Sequence, residues 1–126
     1  MQRYRINMTD LAAEDFTTIC DKMLYLGGGE AAAISRMEGV RKVINTLKGF
    51  PERNPLDDDP ALADNGVRVI CYEDYHIYYV VDNETNMVYI LRIIQILSGD
   101  VRRILAFPRL QYISMEVFSG VAVNSL

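Results

Sequence analysis

The stretch that most constrains this chain is residues 87–97, where apolar side chains fill both alternating sets. Val88, Ile90, Ile94 and Ile96 form one set, and Tyr89, Leu91, Ile93 and Leu97 the other. A strand with one wet face alternates apolar with polar residues. A strand apolar on both faces must be covered on both, and so belongs inside a sheet. Arg92 interrupts one set and Gln95 the other. Ahead of this stretch, residues 67–73 and 75–82 are rich in Val, Ile and Tyr, which suit a pleated, half-buried surface. Asn83, Glu84, Thr85 and Asn86 are turn formers between the second and third segments. Links this short join antiparallel neighbours, so the three segments predict a meander.

The first half of the chain has a different period. Residues 3–8 alternate, with Tyr4, Ile6 and Met8 toward a core and Arg3, Arg5 and Asn7 toward water, which predicts an opening strand. Thr9 and Asp10 offer side-chain oxygens to the first amides of a helix. Leu11, Phe16, Ile19, Met23 and Leu26 then recur at helical spacing. Gly27, Gly28 and Gly29 end that helix. A second helix is expected over residues 30–48, with Ala31, Ile34, Met37, Val40, Ile44 and Leu47 on its buried face. Residues 51–65 contain prolines and the run Asp57, Asp58, Asp59, and read as a solvated loop. The oxygen spacing of a calcium loop is missing from that run, so no metal is expected. The predicted fold class is α+β: an N-terminal strand, a two-helix hairpin, then a three-stranded antiparallel meander with the helices on one sheet face.

At 126 residues the chain suits one core. The expected domain covers residues 1–107, and residues 108–126 form an apolar C-terminal extension without a clear period. A short helix is expected over residues 100–105. Thirteen Lys and Arg against seventeen Asp and Glu give a net charge of -4, which argues against broad binding to a polyanion. Cys20 and Cys71 lie among apolar residues and read as buried thiols of a reducing compartment. No apolar run reaches the length of a membrane span, and the expected location is the cytoplasm.

Several features in order resemble the RelE/ParE superfamily of toxins from bacterial type II toxin-antitoxin systems, ParE-like more than RelE-like. They are Leu47, Phe50 and Pro51 after the hairpin, Arg68 in the first meander strand, and the Tyr75-His76-Ile77-Tyr78-Tyr79-Val80-Val81 strand. The last is Ile90-Leu91-Arg92-Ile93-Ile94-Gln95 before Asp100, Arg102 and Arg103. The resemblance implies the same α+β fold and a growth-arresting, plasmid-stabilising toxin neutralised by a cognate antitoxin. RelE-like members are similar to metal-free ribonucleases that cut mRNA on the ribosome, whereas ParE-like members poison DNA gyrase by binding. No cofactor is implied for either.

The residues at the matching positions favour binding over cleavage. Arg68 matches the arginine that helps hold phosphate in the ribonuclease members, a role suited to a guanidinium's fork of charged donors. Gln95 stands where many members have histidine, and an amide transfers no proton near neutrality. Arg53 and Asn54 precede Pro55 and Leu56, where some members carry a glutamate base. Candidates for proton transfer reduce to His76 and Tyr79. The expected target- or antitoxin-binding set is Arg68, Arg92, Gln95, Arg102 and Arg103, with Arg109 extending the basic segment. The expected function is a toxin acting by binding a target such as gyrase. The alternatives are a ribosome-dependent mRNA endonuclease and an inactive member that retains partner binding alone. The apolar extension is read as packing on the core, or else as a homodimer or antitoxin contact.

Overall fold

A computed structural model describes residues 3–26, 28–96 and 123–125. Among these residues the elements run β1 (Arg5–Thr9), α1 (Asp10–Leu26), α2 (Glu30–Asn45), α3 (Pro60–Ala63), β2 (Arg68–Tyr72), β3 (Tyr75–Asp82), β4 (Met87–Gln95) and β5 (Val123–Ser125). The sheet order is β2-β3-β4-β1-β5. The meander β2-β3-β4 is antiparallel, β1 joins β4 in parallel, and β5 pairs antiparallel with β1. The expected α+β layout is present. The expected helix over residues 100–105, Leu97, and most of the C-terminal extension lie outside the described residues. No helix among the described residues is long and apolar enough to cross a membrane.

Thr9 makes the first corner. Its Oγ1 accepts from the Ala12 amide at 3.2 Å and donates toward the carbonyl oxygens of Ile90 and Leu91 at 3.0 and 3.1 Å. One hydroxyl therefore caps α1 and ties that cap to the central strand. The buried stripe of α1 differs from the one expected. Ala12 is fully buried and Ile19 nearly so, whereas Leu11 is exposed. In α2 the inward face is Ala33, Met37, Val40 and Ile44, and Ile34 and Ala31 are exposed. Sequence spacing alone does not fix the phase of a helix with apolar residues on neighbouring faces; packing on the sheet selects the phase. The second helix also ends early, at Asn45, and Thr46–Lys48 tighten into a 3-10 turn that buries Leu47.

The stretch expected to be a solvated loop carries structure. Pro51–Arg53 form a 3-10 turn and Pro60–Ala63 a short helix capped by Asp59, whose Oδ1 accepts from the Ala61 amide at 2.9 Å. Asp57 is buried and its Oδ2 accepts from the Asp59 amide at 2.8 Å. The acidic run thus supplies acceptors to its own backbone.

The helices cover one face of the sheet, where Ile6, Met8, Ile77, Tyr79, Val88, Ile90 and Ile93 meet Ala12, Ile19, Met37, Val40 and Ile44. On the reverse face Tyr78, Val80 and Leu91 pack with Leu62 of α3 and Val67. The two faces of β4 are not the simple alternation expected. Tyr78 pairs with Arg92 but Tyr79 pairs with Ile90, so Leu91 is an extra residue in β4. A bulge shifts the alternation by one, which places Ile93 with Val88 and Ile90, and Ile94 with Tyr89 and Leu91. Asn7, expected in water, is buried because β1 lies inside the sheet between β4 and β5. Cys71, expected buried, is exposed, since β2 is the outermost strand; Cys20 is half-buried.

Candidate functional site

Arg68 opens β2 beside the turn that follows α2. Its Nη1 donates to the carbonyl oxygens of Asn54 at 2.7 Å and Glu52 at 3.2 Å, and its Nη2 lies 3.9 Å from Glu52 Oε2. Its strand partner is Tyr79. The Tyr79 hydroxyl donates to the Pro51 carbonyl at 2.5 Å and accepts from Asn54 Nδ2 at 3.0 Å. Burial raises the Tyr79 pKa above its ordinary value. A phenol buried, doubly bonded and held protonated in this way braces the turn and has no open path to a substrate.

Arg92 sits at the bulge and faces α1. Its Nε and Nη2 donate to the two carboxylate oxygens of Asp15 at 2.7 and 2.8 Å, and the Ile93 amide donates to the same carboxylate at 3.0 Å. The hydrogen bond to Asp15 raises the pKa of Arg92 further. Both side chains are mostly buried, at 20 and 14% exposure, so this bidentate pair joins helix to sheet. Asp15 follows Ala12 and precedes Ile19 on the inward stripe of α1 at helical spacing. An acid on an apolar stripe facing an arginine on an apolar strand is the signal that finds this pair from sequence.

Gln95 lies at the opposite end of the sheet. It pairs with Tyr75, and its Nε2 donates to Asp74 Oδ2 at 2.8 Å. Arg36 of α2 reaches the same turn, 3.2 Å from Glu73 and 3.7 Å from Asp74, with its guanidinium 5.9 Å from the Tyr75 ring centre. Arg68 and Gln95 are therefore separated along β3 by the span from Tyr79 to Tyr75, roughly 13 Å at strand rise. They do not share one site. His76 stands between Cys71 and Ile94, with Nδ1 3.4 Å from the Tyr78 hydroxyl, on the side away from the helices. Arg102, Arg103 and Arg109 lie outside the described residues.

Sequence reasoning missed Glu52, the carboxylate beside Arg68. It looked at the residues directly before Pro55, whereas the 3-10 turn carries Glu52 back against β2. It also missed Gly39, over whose backbone the Tyr72 ring is laid.

A helical hairpin on one face of this sheet, with the meander strands paired in sequence, defines a small α+β toxin-like domain. A family model described as "ParE toxin of type II toxin-antitoxin system, parDE" matches residues 6–95. The match spans most of the chain, and the chain belongs to the ParE-type toxins. Among solved structures it is similar to a chain of the chromosomal ParDE toxin-antitoxin system from P. aeruginosa, at 21% identity and TM-score 0.63, covering 75% of this chain and 98% of that one. It is also similar to a chain of the RelBE2 toxin-antitoxin complex from Mycobacterium tuberculosis, at 24% identity and TM-score 0.50, covering 76% and 94%. A comparison with curated proteins gives no match.

Proposed function

We propose that this ParE-type toxin arrests growth in the cytoplasm by binding a bacterial target, DNA gyrase foremost, without cutting RNA, and that a cognate antitoxin silences it. The observation that carries this reading is the engagement of Arg68. A phosphate clamp needs donors aimed at open space, and the Arg68 Nη1 donors meet two backbone carbonyls. Proton transfer lacks partners as well: Tyr79 is enclosed, Gln95 is an amide at the far end of the sheet, and His76 of β3 is paired with Cys71 and Ile94, not with Arg68. The two solved relatives come from toxin-antitoxin systems, which supports a partner protein.

The test is a pair of assays on the purified chain. Inhibition of gyrase supercoiling with intact transcripts on translating ribosomes is the expected result. The ribonuclease reading rests on one observation, the Glu52 carboxylate 3.9 Å from Arg68. Transcript cleavage that disappears in Glu52→Gln, with supercoiling untouched, would overturn the proposal in its favour. Expression without any growth defect would overturn it in favour of a member that binds its partner alone.

A further inference from the structure

Arg3, Arg5 and Lys48 meet at one end of β1, and none takes part in an ion pair among the described residues. The backbone brings them together. Arg3 bridges Gly49, the Tyr4 amide donates to the Lys48 carbonyl at 2.9 Å, and the Arg5 amide to that of Asn86 at 2.9 Å. In extended chain, residues two apart share a side. The three cations line a cleft of about 430 Å³. A second hollow of about 390 Å³ shares Tyr4 with it and is lined by Phe50 and Glu52.

Phe50 is 66% exposed with φ 48. A bulky side chain adopts that left-handed backbone only where neighbours hold it. Here the brace is Arg53, whose Nη1 donates to the carbonyls of Thr46, Gly49 and Phe50 at 3.3, 2.6 and 3.2 Å. The fixed turn presents the ring to solvent rather than tucking it into the core. Glu52 directs Oε2 at Arg68 and Asn83, and its Oε1 has no partner among the described residues.

Each component selects part of a ligand. Unpaired cations select an anion, a flat exposed ring selects a π-face, and a carboxylate accepts from an exocyclic amine. An acidic peptide satisfies only the first and is repelled by Glu52. A long duplex is disfavoured by the net charge of -4. The geometry points to a nucleotide-binding cleft, with phosphate at Arg3, Arg5 and Lys48 and an amino-bearing base stacked on Phe50 beside Glu52. The nucleotide is either free or part of a single strand, and this site is independent of the gyrase reading.

The test is fluorescence anisotropy of the full chain with a labelled six-nucleotide single strand at low salt, competed by each nucleoside triphosphate. Three phosphate contacts predict a log-affinity against log-salt slope of about -2. Arg3→Glu/Arg5→Glu should flatten that slope. Phe50→Gly suits the positive φ and should weaken binding at least roughly fivefold while leaving the melting temperature no lower. Wild type should prefer adenine and cytosine over thymine, and Glu52→Gln should erase the preference. Competition by mononucleotides at matching concentration assigns the site to free nucleotide, and binding of the oligomer alone assigns it to a strand. The proposal is overturned by an absence of binding to either probe, or by binding that survives Phe50→Gly and is displaced equally by polyglutamate.

Discussion

Gly39 lies in the middle of α2, where an interior glycine costs about 1 kcal/mol relative to alanine. Helix propensity alone therefore says that Gly39→Ala stabilises. The packing says the opposite. A Cβ at this position would overlap Oη and Cζ of Tyr72 and lie 2.8 Å from Cε2. Tyr72 ends β2 and its ring packs against the main core, so the ring must leave the helix to make room. Re-exposing about half of a tyrosine's burial, roughly 100 Å² at ~25 cal/mol per Å², costs about 2.5 kcal/mol. Set against the propensity gain, the net is a loss of about 1.5 kcal/mol, or a melting temperature lower by about 6 °C for a chain of this size. Urea and thermal unfolding followed by circular dichroism measure it. The decisive arm is the Tyr72→Ala background, where Gly39→Ala should change sign and stabilise by about 1 kcal/mol, giving a coupling near 2.5 kcal/mol. Gly39→Ala that stabilises the chain with Tyr72 in place would refute the close approach.

Other consequences follow from the braces around the sheet. Asp15→Asn removes the charged acceptor of Arg92 and should cost about 2 kcal/mol in urea unfolding, with at least half recovered in Asp15→Asn/Arg92→Met, because a paired loss leaves no stranded charge. Thr9→Val should cost about 1.5 kcal/mol and speed amide exchange at Ala12, while Thr9→Ser stays near wild type. Tyr79→Phe strips the Pro51 carbonyl of its donor and should cost about 1 to 2 kcal/mol at neutral pH. Burial raises the Tyr79 pKa above its ordinary 10, so the folded state holds this proton more tightly than the unfolded chain. That contribution is full below pH 10 and lost as pH rises through the folded value. The stability gap between wild type and Tyr79→Phe should therefore narrow from pH 8 to 11, and a constant gap would contradict it.

The meander and the hairpin were legible in the sequence because burial leaves a periodic imprint. Tyr75–Asp82 carries its strand in β-branched and aromatic residues, and Thr9 announces a helix start by chemistry as well as place. The phase of each helix was less legible. Leu11 and Ile34 are as apolar as their buried neighbours, and only the position of the sheet decides that Ala12 and Ala33 face inward. Nor does alternation reveal a bulge when both faces are apolar: with Ile, Leu and Tyr on each side, a one-residue shift at Leu91 changes no hydrophobic count. The capture of Arg68 was hidden for another reason. It depends on backbone carbonyls, which every residue possesses, and on a turn that folds Glu52 and Asn54 back over β2.

The bulge and the captured arginines have a common consequence for chemistry. An extra residue in β4 frees backbone groups, and the corner from β1 into α1 supplies their partners: Thr9 Oγ1 at the Ile90 and Leu91 carbonyls, Asp15 at the Ile93 amide. Arg92 then joins the same carboxylate, so its charge belongs to the joint between helix and sheet. At Arg68 the Nη1 donors are held by carbonyls at 2.7 and 3.2 Å, so a phosphate would meet only the remaining donors and would approach past the Glu52 carboxylate. The attraction is that of a partly engaged guanidinium, less the repulsion between phosphate and carboxylate. Among the described residues, a strong anion site is therefore favoured where guanidinium and ammonium groups lack such partners, at Arg3, Arg5 and Lys48. Arg68 and Arg92 hold the fold together, and among the described residues the cations placed to receive a ligand are Arg3 and Arg5 at the less conspicuous N-terminal strand and Lys48 in the turn after α2.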